Sequence, residues 1–440
     1  MQPSPSQEDA IADLTLFELG SFGHFPMHLR LVLESWRDHG TGCARAIVTN
    51  RFLEQHQFVF EGFENTEDSS VRWATLDAAD ETSLYALQAL AEGIGEPPRE
   101  GSDTRPGGLL RFYWDLVEKY GQKFPSRHIL LMNLDEYLFA LSSGRRAPAD
   151  FSGIFFRPDF FYSADFPETS FRRRVFNGLN KQLILRTLNH PQLRVAFFLD
   201  PWVANSLQGQ GTAQVSCLLE PVNLPTRLPT PAEREEIKSR LGVPADRKLF
   251  LLSGDINGRK GVWRLLESIA QLTPEESARI CLAIVGRAEA AFEQRLVPQL
   301  EAVAASTQVA FIRRAEYVDD GELSDWFIAA DVVLVPYIHH VRVSGILLLA
   351  AAHRKPVISA VQGPLGKLTR KYRLGVTVDP NEPEELARAM VSFLDETPPA
   401  GWDPEIAYAY AAERSADKFG GRLLAALRPF WSSRASCHQT

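Results

Sequence analysis

Residues 253–262 read SGDINGRKGV and lie between a continuous apolar run, KLFLL, and a run of helical period, WRLLESIAQL. A glycine, a basic pair and a second glycine at a strand-to-helix handover suit an anion. The first N–H groups of a helix lack intrahelical partners, and the helix dipole adds partial positive charge there. Gly254 lets the backbone approach a ligand, Arg259 and Lys260 carry charge for a diphosphate, and Gly261 eases entry into the helix. A glycine ending a strand beside an exposed basic pair accounts for the same residues without a ligand, and this loop alone leaves both readings open.

Two later loops add to it. Ser344 and Gly345 precede the apolar helix ILLLAAA, so a Ser344 N-cap and the adjacent N–H groups can meet a phosphate, with Arg342, His339 and His340 close by. Capping by serine needs no ligand. The paired histidines have no Cys, His or acidic partners at metal spacing, so no metal site is expected. In QGPLGKLTRKYRLG, Gly363 and Gly366 read as a flexible loop between a strand and a helix.

The first half offers fewer chemical groups. Gly20-Ser21-Phe22-Gly23 follows TLFEL, and His24 comes next; Asn133 and Asp135 follow HILLM, and Arg157 ends SGIFFR. Asp135 is the candidate for contact with a hydroxyl or a sugar, acting as a base only within hydrogen-bond reach. Caps or surface ion pairs explain these residues equally well. Gly20 to Gly23 is not GxGxxG and lacks a suitably placed acidic residue, which argues against a dinucleotide oxidoreductase.

The elements that must position these groups follow from periodicity. TLFELG, then MHLRLVLESWRDHG, then ARAIVTN form a βαβ unit, followed by the short apolar runs HILLMNL, SGIFFRP and RVAFFLD. Short apolar strands alternating with helices imply parallel sheets covered on both faces. PVNLPTRLPTP, residues 221–231, has four prolines and marks a domain boundary. Beyond it, KLFLLSG, ICLAIVG, QVAFIRR, DVVLVPY, KPVISA and GVTVD alternate with helical segments as a second doubly wound domain. The expected division is 1–222, 223–400, and a helical tail 401–440 crossing back to the first domain.

Composition bounds the class. With 440 residues, 45% hydrophobic and 23% charged, two domains are expected, and a net charge of -8 argues against a nucleic-acid binder. Cys43, Cys217, Cys281 and Cys437 are widely spaced, so no disulfide framework or zinc site is expected. No apolar run approaches about 18 residues, and the N-terminus lacks a signal-peptide pattern. A cytoplasmic protein is expected, with one segment to watch: FSGIFFRPDFFYSADFPETSFRRRVF mixes aromatics and arginines in a way that suits peripheral membrane contact, although core strands and loop anchors are the simpler reading.

Taken in order, GDINGRKGVWRLLESI, AIVG, ELSDWFIAADVVLVPY, the SG-helix-KPVISA block and GPLGKLTRKYRLGVTVDPNEPEELARAM resemble the nucleotide-sugar domain of family-4-like glycosyltransferases of the GT-B fold, over about residues 248–395. ELGSFGHFPMHLRLVLESWRDHG and LNKQLILRTLNHPQLRVAFFLDPWVANSL fit that fold more weakly. The resemblance implies two Rossmann-like doubly wound parallel-sheet domains facing a cleft, a nucleotide-diphosphate sugar as substrate rather than cofactor, an acceptor on the first domain, and retention without a metal. It places Lys260 on the phosphate-binding lysine, Ser344 and Gly345 in the diphosphate loop, and Gly20 to Gly23 on the glycine loop that approaches the donor. Donor contacts would come from Gly20, Gly23, Gly254, Arg259, Lys260, Arg342, Ser344 and Gly345. Chemistry would rest on Asp135, His24 and Lys260, and acceptor contacts on Asn133 and Arg157.

Departures are specific. Asp255 stands where the family usually has an arginine, a role Arg259 can take over, and Val341 and Leu349 stand where it often has a pair of glutamates. The acceptor class stays open among glycan, lipid and small molecule. Two alternatives remain: a non-catalytic GT-B-like binding protein, and a nucleotide-sugar epimerase.

Overall fold

The computed structural model describes residues 11–20, 25–91, 108–166, 171–395 and 401–432. The chain divides into two units, one of Met1–Phe161, Ser170–Pro221 and Ala416–Thr440, the other of Tyr162–Thr169 and Val222–Ser415. The division after Pro221 falls at the start of the proline-rich stretch. The return to the first unit begins only at Ala416, so the Pro404–Ala412 helix stays with the second.

The first unit holds a seven-stranded parallel sheet: β1 Ala12–Phe17, β2 Ala44–Val48, β3 Val71–Thr75, β4 Ser126–Leu131, β5 Asp150–Phe155, β6 Leu193–Phe198 and β7 Gln214–Cys217, in the order β3-β2-β1-β4-β5-β6-β7. The strands β1, β2, β4, β5 and β6 are the apolar runs of the sequence, buried because helices cover both faces. The edge strands β3 and β7 are half-buried and carry Arg72 and Gln214, so no apolar run announces them. Leu16 pairs with Leu130 and Phe17 with Leu131, which sets the ends of β1 and β4 side by side.

The Ala416–Leu427 helix packs its Phe419, Leu423 and Leu427 into this core against Leu31 and Trp36 of the Phe25–His39 helix. Gly420 makes the approach possible: a Cβ there would lie 2.4 Å from the Leu31 carbonyl oxygen.

The second unit holds six parallel strands: β8 Lys248–Ser253, β9 Ile280–Val285, β10 Ala310–Arg314, β11 Val332–Val335, β12 Val357–Ala360 and β13 Gly375–Val378, in the order β10-β9-β8-β11-β12-β13. All six lie within the runs read from the sequence. A piece of the first half joins this unit. Lys367 pairs with Asp165 at 3.2 Å and lies over the Tyr162 ring, and Phe166 packs on His339 with ring centroids 5.2 Å apart.

Residues 362–375 differ from the flexible loop expected of them. The Gly363–Lys371 helix starts directly after β12, and its glycines serve packing. A Cβ at Gly366 would meet the Val361 carbonyl oxygen at 1.9 Å, and Gly363, at φ 63°, has no room beside the His340 carbonyl oxygen.

Candidate functional site

In an open parallel sheet the strand order reverses at one point, where neighbouring loops leave in opposite directions and open a crevice. In the second unit that point lies between β8 and β11. The loop after β8 is SGDINGRKGV, so the anion-type motif occupies the position where such sheets bind ligands.

Its local form follows from its residues. Gly254 adopts φ 103° and Gly261 φ 77°, both left-handed and suited to glycine. Between them, Gly258–Lys260 makes a short 3-10 turn whose start is capped by the Asn257 side chain, which accepts from the Arg259 N–H at 3.1 Å. The turn swings Lys260 back under the strand end. Its ammonium donates to the Ser253 carbonyl at 2.9 Å and to the Tyr337 hydroxyl at 2.7 Å, and lies 4.3 Å from the centre of the Tyr337 ring. Lys260 is only 5% exposed, and no carboxylate among the described residues lies within ion-pair distance of it or of Arg259. An ammonium has three donors; two are used here, both on neutral oxygens.

The other strand-end loops close on the same spot. A Cβ at Gly254 would lie 2.9 Å from the Lys260 Nζ and 3.8 Å from Ile346 Cδ1, in the first turn of the Gly345–Ala352 helix. Ser344 occupies the N-cap of that helix, buried, and its hydroxyl makes no capping bond. The Ile338 N–H donates to the Arg259 carbonyl at 2.9 Å, and the Arg259 guanidinium donates to His340 Nδ1 at 2.7 Å. Because arginine only donates, that bond places the neutral ring's proton on Nε2. Burial first, then the charges of Arg259, Lys260 and Arg342, push the His340 imidazolium down to about 3. The cluster thus combines cations with a histidine held neutral, an environment that favours a bound anion. Of the residues singled out in the sequence, Gly254, Arg259, Lys260, Ser344 and Gly345 converge here, with the Arg342 charge felt at His340. Tyr337 was not singled out; its sole sequence signal is a position just after a strand.

The first unit has its own reversal, between β1 and β4. Glu18 ends β1 and is 2% exposed; its Oε1 accepts from the Gly20 N–H at 2.9 Å, and its Oε2 has no hydrogen-bond partner. After β4, Asn133 Nδ2 donates to Glu136 Oε1 at 2.9 Å, while Asn133 Oδ1 is buried without a partner. Burial holds the Glu18 carboxyl well above the usual range, with the Glu136 charge adding to it. Burial also pushes Glu136 up to about 7, the nearby Arg157 only partly opposing this.

Asp135, the carboxylate chosen from the sequence, accepts the Phe156 N–H at 2.6 Å and the Arg157 N–H at 3.3 Å, holding the turn after β5. Asn133, Asp135 and the exposed Arg157 therefore do meet, around Glu136 rather than around Asp135. Gly20 lies beside Glu18; Gly23 and His24 lie outside the described residues. Glu18 and Glu136 were missed, although a lone acid at the end of an apolar strand, as in TLFELG, is a readable signal. Among the described residues no three His, Cys, Asp or Glu side chains cluster as metal ligands, and no helix is long and apolar enough to cross a membrane.

Comparison with known proteins agrees with this architecture. Residues 247–396 match the family described as Glycosyl transferases group 1. The D-inositol 3-phosphate glycosyltransferase of Thermobispora bispora is 32% identical over 201 residues, 44% of this chain and 45% of that protein. Its namesake from a Nocardioides species is 30% identical over 169 residues, 36% of this chain and 37% of the relative. The matched stretch thus spans less than half of these relatives. Among solved structures, Anabaena HepE in complex with UDP superposes with a TM-score of 0.64 at 15% identity, covering 95% of this chain and 100% of the other. Sucrose-phosphate synthase from Thermosynechococcus elongatus also gives 0.64 at 15%, covering 96% and 99%. With two Rossmann-like parallel sheets the chain has the GT-B fold, and its residues 247–396 match the group 1 glycosyltransferase domain.

Proposed function

We propose that this protein transfers a sugar from a nucleotide-diphosphate donor, held by the loops after β8 and β11, to a hydroxyl of an acceptor bound on the first unit. The observation that carries this reading is Lys260: a buried ammonium at the strand-order reversal, with one donor unused and, among the described residues, no carboxylate to neutralise it. A diphosphate supplies the missing charge and acceptor oxygens. HepE in complex with UDP and with UDP-glucose, and relatives named for inositol phosphate, support a nucleotide-sugar donor and a hydroxyl-bearing acceptor.

As the glycosidic bond breaks, positive charge grows on the anomeric carbon and negative charge on the leaving phosphate. Lys260, Arg259 and the first N–H groups of the Gly345–Ala352 helix oppose the negative charge, and a preorganised cation in a water-poor site does so without reorganising. Retention of configuration is part of the proposal, on family resemblance.

A second reading, a non-catalytic binding protein, draws on Val341 and Leu349, whose side chains cannot accept a hydrogen bond from a ribose or sugar hydroxyl. One experiment separates the two: binding and hydrolysis of UDP-, GDP- and ADP-sugars by the wild type and by Lys260→Ala. Turnover that falls in the variant supports the transferase. Binding without turnover favours the second reading, and no binding by a folded protein removes the donor site altogether.

A further inference from the structure

The aromatic and arginine-rich stretch at 151–176 is divided by the fold. Phe151, Ile154 and Phe155 are inside β5, and Tyr162 and Phe166 are buried. Its end runs on as the Phe171–Leu188 helix of the first unit, and this helix is turned the unusual way for a surface in water. Asn177, Ile184, Thr187 and Leu188 face inward. Outward stand Phe171, Val175, Phe176 and Leu179, respectively 79%, 47%, 63% and 60% exposed. Phe171, Val175 and Leu179 are spaced four apart and stack along one stripe, with Phe176 and the half-buried Leu183 at its side. The stripe is roughly opposite Ile184 at about 3.6 residues per turn.

Charge distinguishes the helix further. It carries Arg172, Arg173, Arg174, Lys181 and Arg186, all exposed, and no Asp or Glu, in a chain whose net charge is -8. We propose that this helix seats the protein on an anionic lipid surface, its exposed phenylalanines and aliphatic side chains entering the headgroup layer while the arginines meet lipid phosphates. Exposed apolar side chains with basic side chains distributed around them suit an interfacial position, in which long basic side chains reach from the apolar layer to the phosphates. A second copy of this chain fits poorly, because pairing the stripe with itself sets two wholly basic helices face to face. A single-stranded nucleic acid fits less well, since half of the helix's four most exposed apolar side chains, Val175 and Leu179, have no ring for a base and the chain's net charge of -8 opposes a polyanion. The proposal is independent of the donor reading.

The test is co-sedimentation of the full chain with vesicles of phosphatidylcholine alone and of phosphatidylcholine mixed with phosphatidylglycerol. The protein is expected to pellet with the anionic vesicles only, and less at high salt. Neutralising Arg172, Arg173 and Arg174 to Gln is expected to weaken partitioning on the order of 100-fold, at about five-fold per charge near an anionic surface. Phe171→Ser with Phe176→Ser is expected to abolish pelleting while leaving the melting temperature and nucleotide-sugar binding unchanged. Equal pelleting with both vesicles, or variants that pellet like the wild type, would overturn the proposal. So would a serine variant that fails to fold, a dimer that the serine variant converts to monomer, or binding to a single-stranded oligonucleotide that the same substitutions abolish.

Discussion

The Lys260 ammonium and the Tyr337 hydroxyl lie 2.7 Å apart, joining the loop after β8 to the loop after β11 across the point where the strand order reverses. The bond presets the cation before any ligand arrives. Lys260→Ala is expected to lower donor turnover on the order of 100-fold or more, as removal of one preorganised donor commonly does. Tyr337→Phe keeps the ring under the ammonium and is expected to cost far less. Steady-state kinetics on the two variants decides it: equal losses would mean that the pair only holds the loops together.

Gly286 turns the chain after β9 at φ 125°, and a Cβ there would lie 2.1 Å from the Gly254 carbonyl oxygen. Gly286→Ala therefore forces two strand-end loops apart as well as straining the backbone. A loss of about 1–3 kcal/mol is expected, read by urea unfolding, together with weaker donor binding because Gly254 moves. An alanine variant as stable as the wild type would contradict the close approach.

Glu136 brings a pH dependence whose sign is fixed by its raised pKa, about 7 in the folded chain against about 4.3 when unfolded. A carboxyl raised on folding binds its proton more tightly in the native state, so its contribution is fully present below the unfolded value. Stability is then lost as pH rises from about 4.3 towards 7. The cost above that window is about 4 kcal/mol at most. Glu136→Gln keeps an oxygen for the Asn133 amide and is expected to be more stable than the wild type at pH 8, with little difference near pH 4. Glu18, raised in the same direction, leaves part of the slope in the variant. Unfolding curves across pH test this, and a variant less stable than the wild type at pH 8 would refute it.

Asp135→Ala removes the acceptor of the Phe156 and Arg157 N–H groups. A destabilisation of about 1–3 kcal/mol is expected from the unpaired backbone donors, with donor hydrolysis in the absence of acceptor close to wild type. A large loss of transfer with unchanged stability would instead return Asp135 to the role of acceptor contact that its sequence position suggested.

Much of the architecture is local and was therefore legible. The four inner strands of the second unit, β8, β9, β11 and β12, are buried and largely apolar runs, because burial on both faces leaves no polar face to alternate. Gly254, Gly261 and the N-cap position of Ser344 follow from backbone chemistry within a few residues. The edge strands β3 and β7 escaped because one side of an edge strand is only half covered and tolerates Arg72 or Gln214.

By itself, then, the sequence determined the alternation of strands and helices, the proline-rich boundary and the anion-type loop, each set by short-range sterics, periodicity and capping. The tertiary structure alone decided which distant residues meet. Lys260 and Tyr337 are 77 positions apart, and the Phe156 amide that occupies Asp135 lies 21 positions further along the chain. Likewise, burial at the end of β1, and then the Glu136 charge that the neighbouring β4 brings close, raise the proton affinity of Glu18, and the Phe171 helix shows an apolar face to solvent only because Ile184 and Leu188 are the residues turned inward. Sheet order and helix orientation minimise the exposure of the whole chain, so no window of sequence contains them.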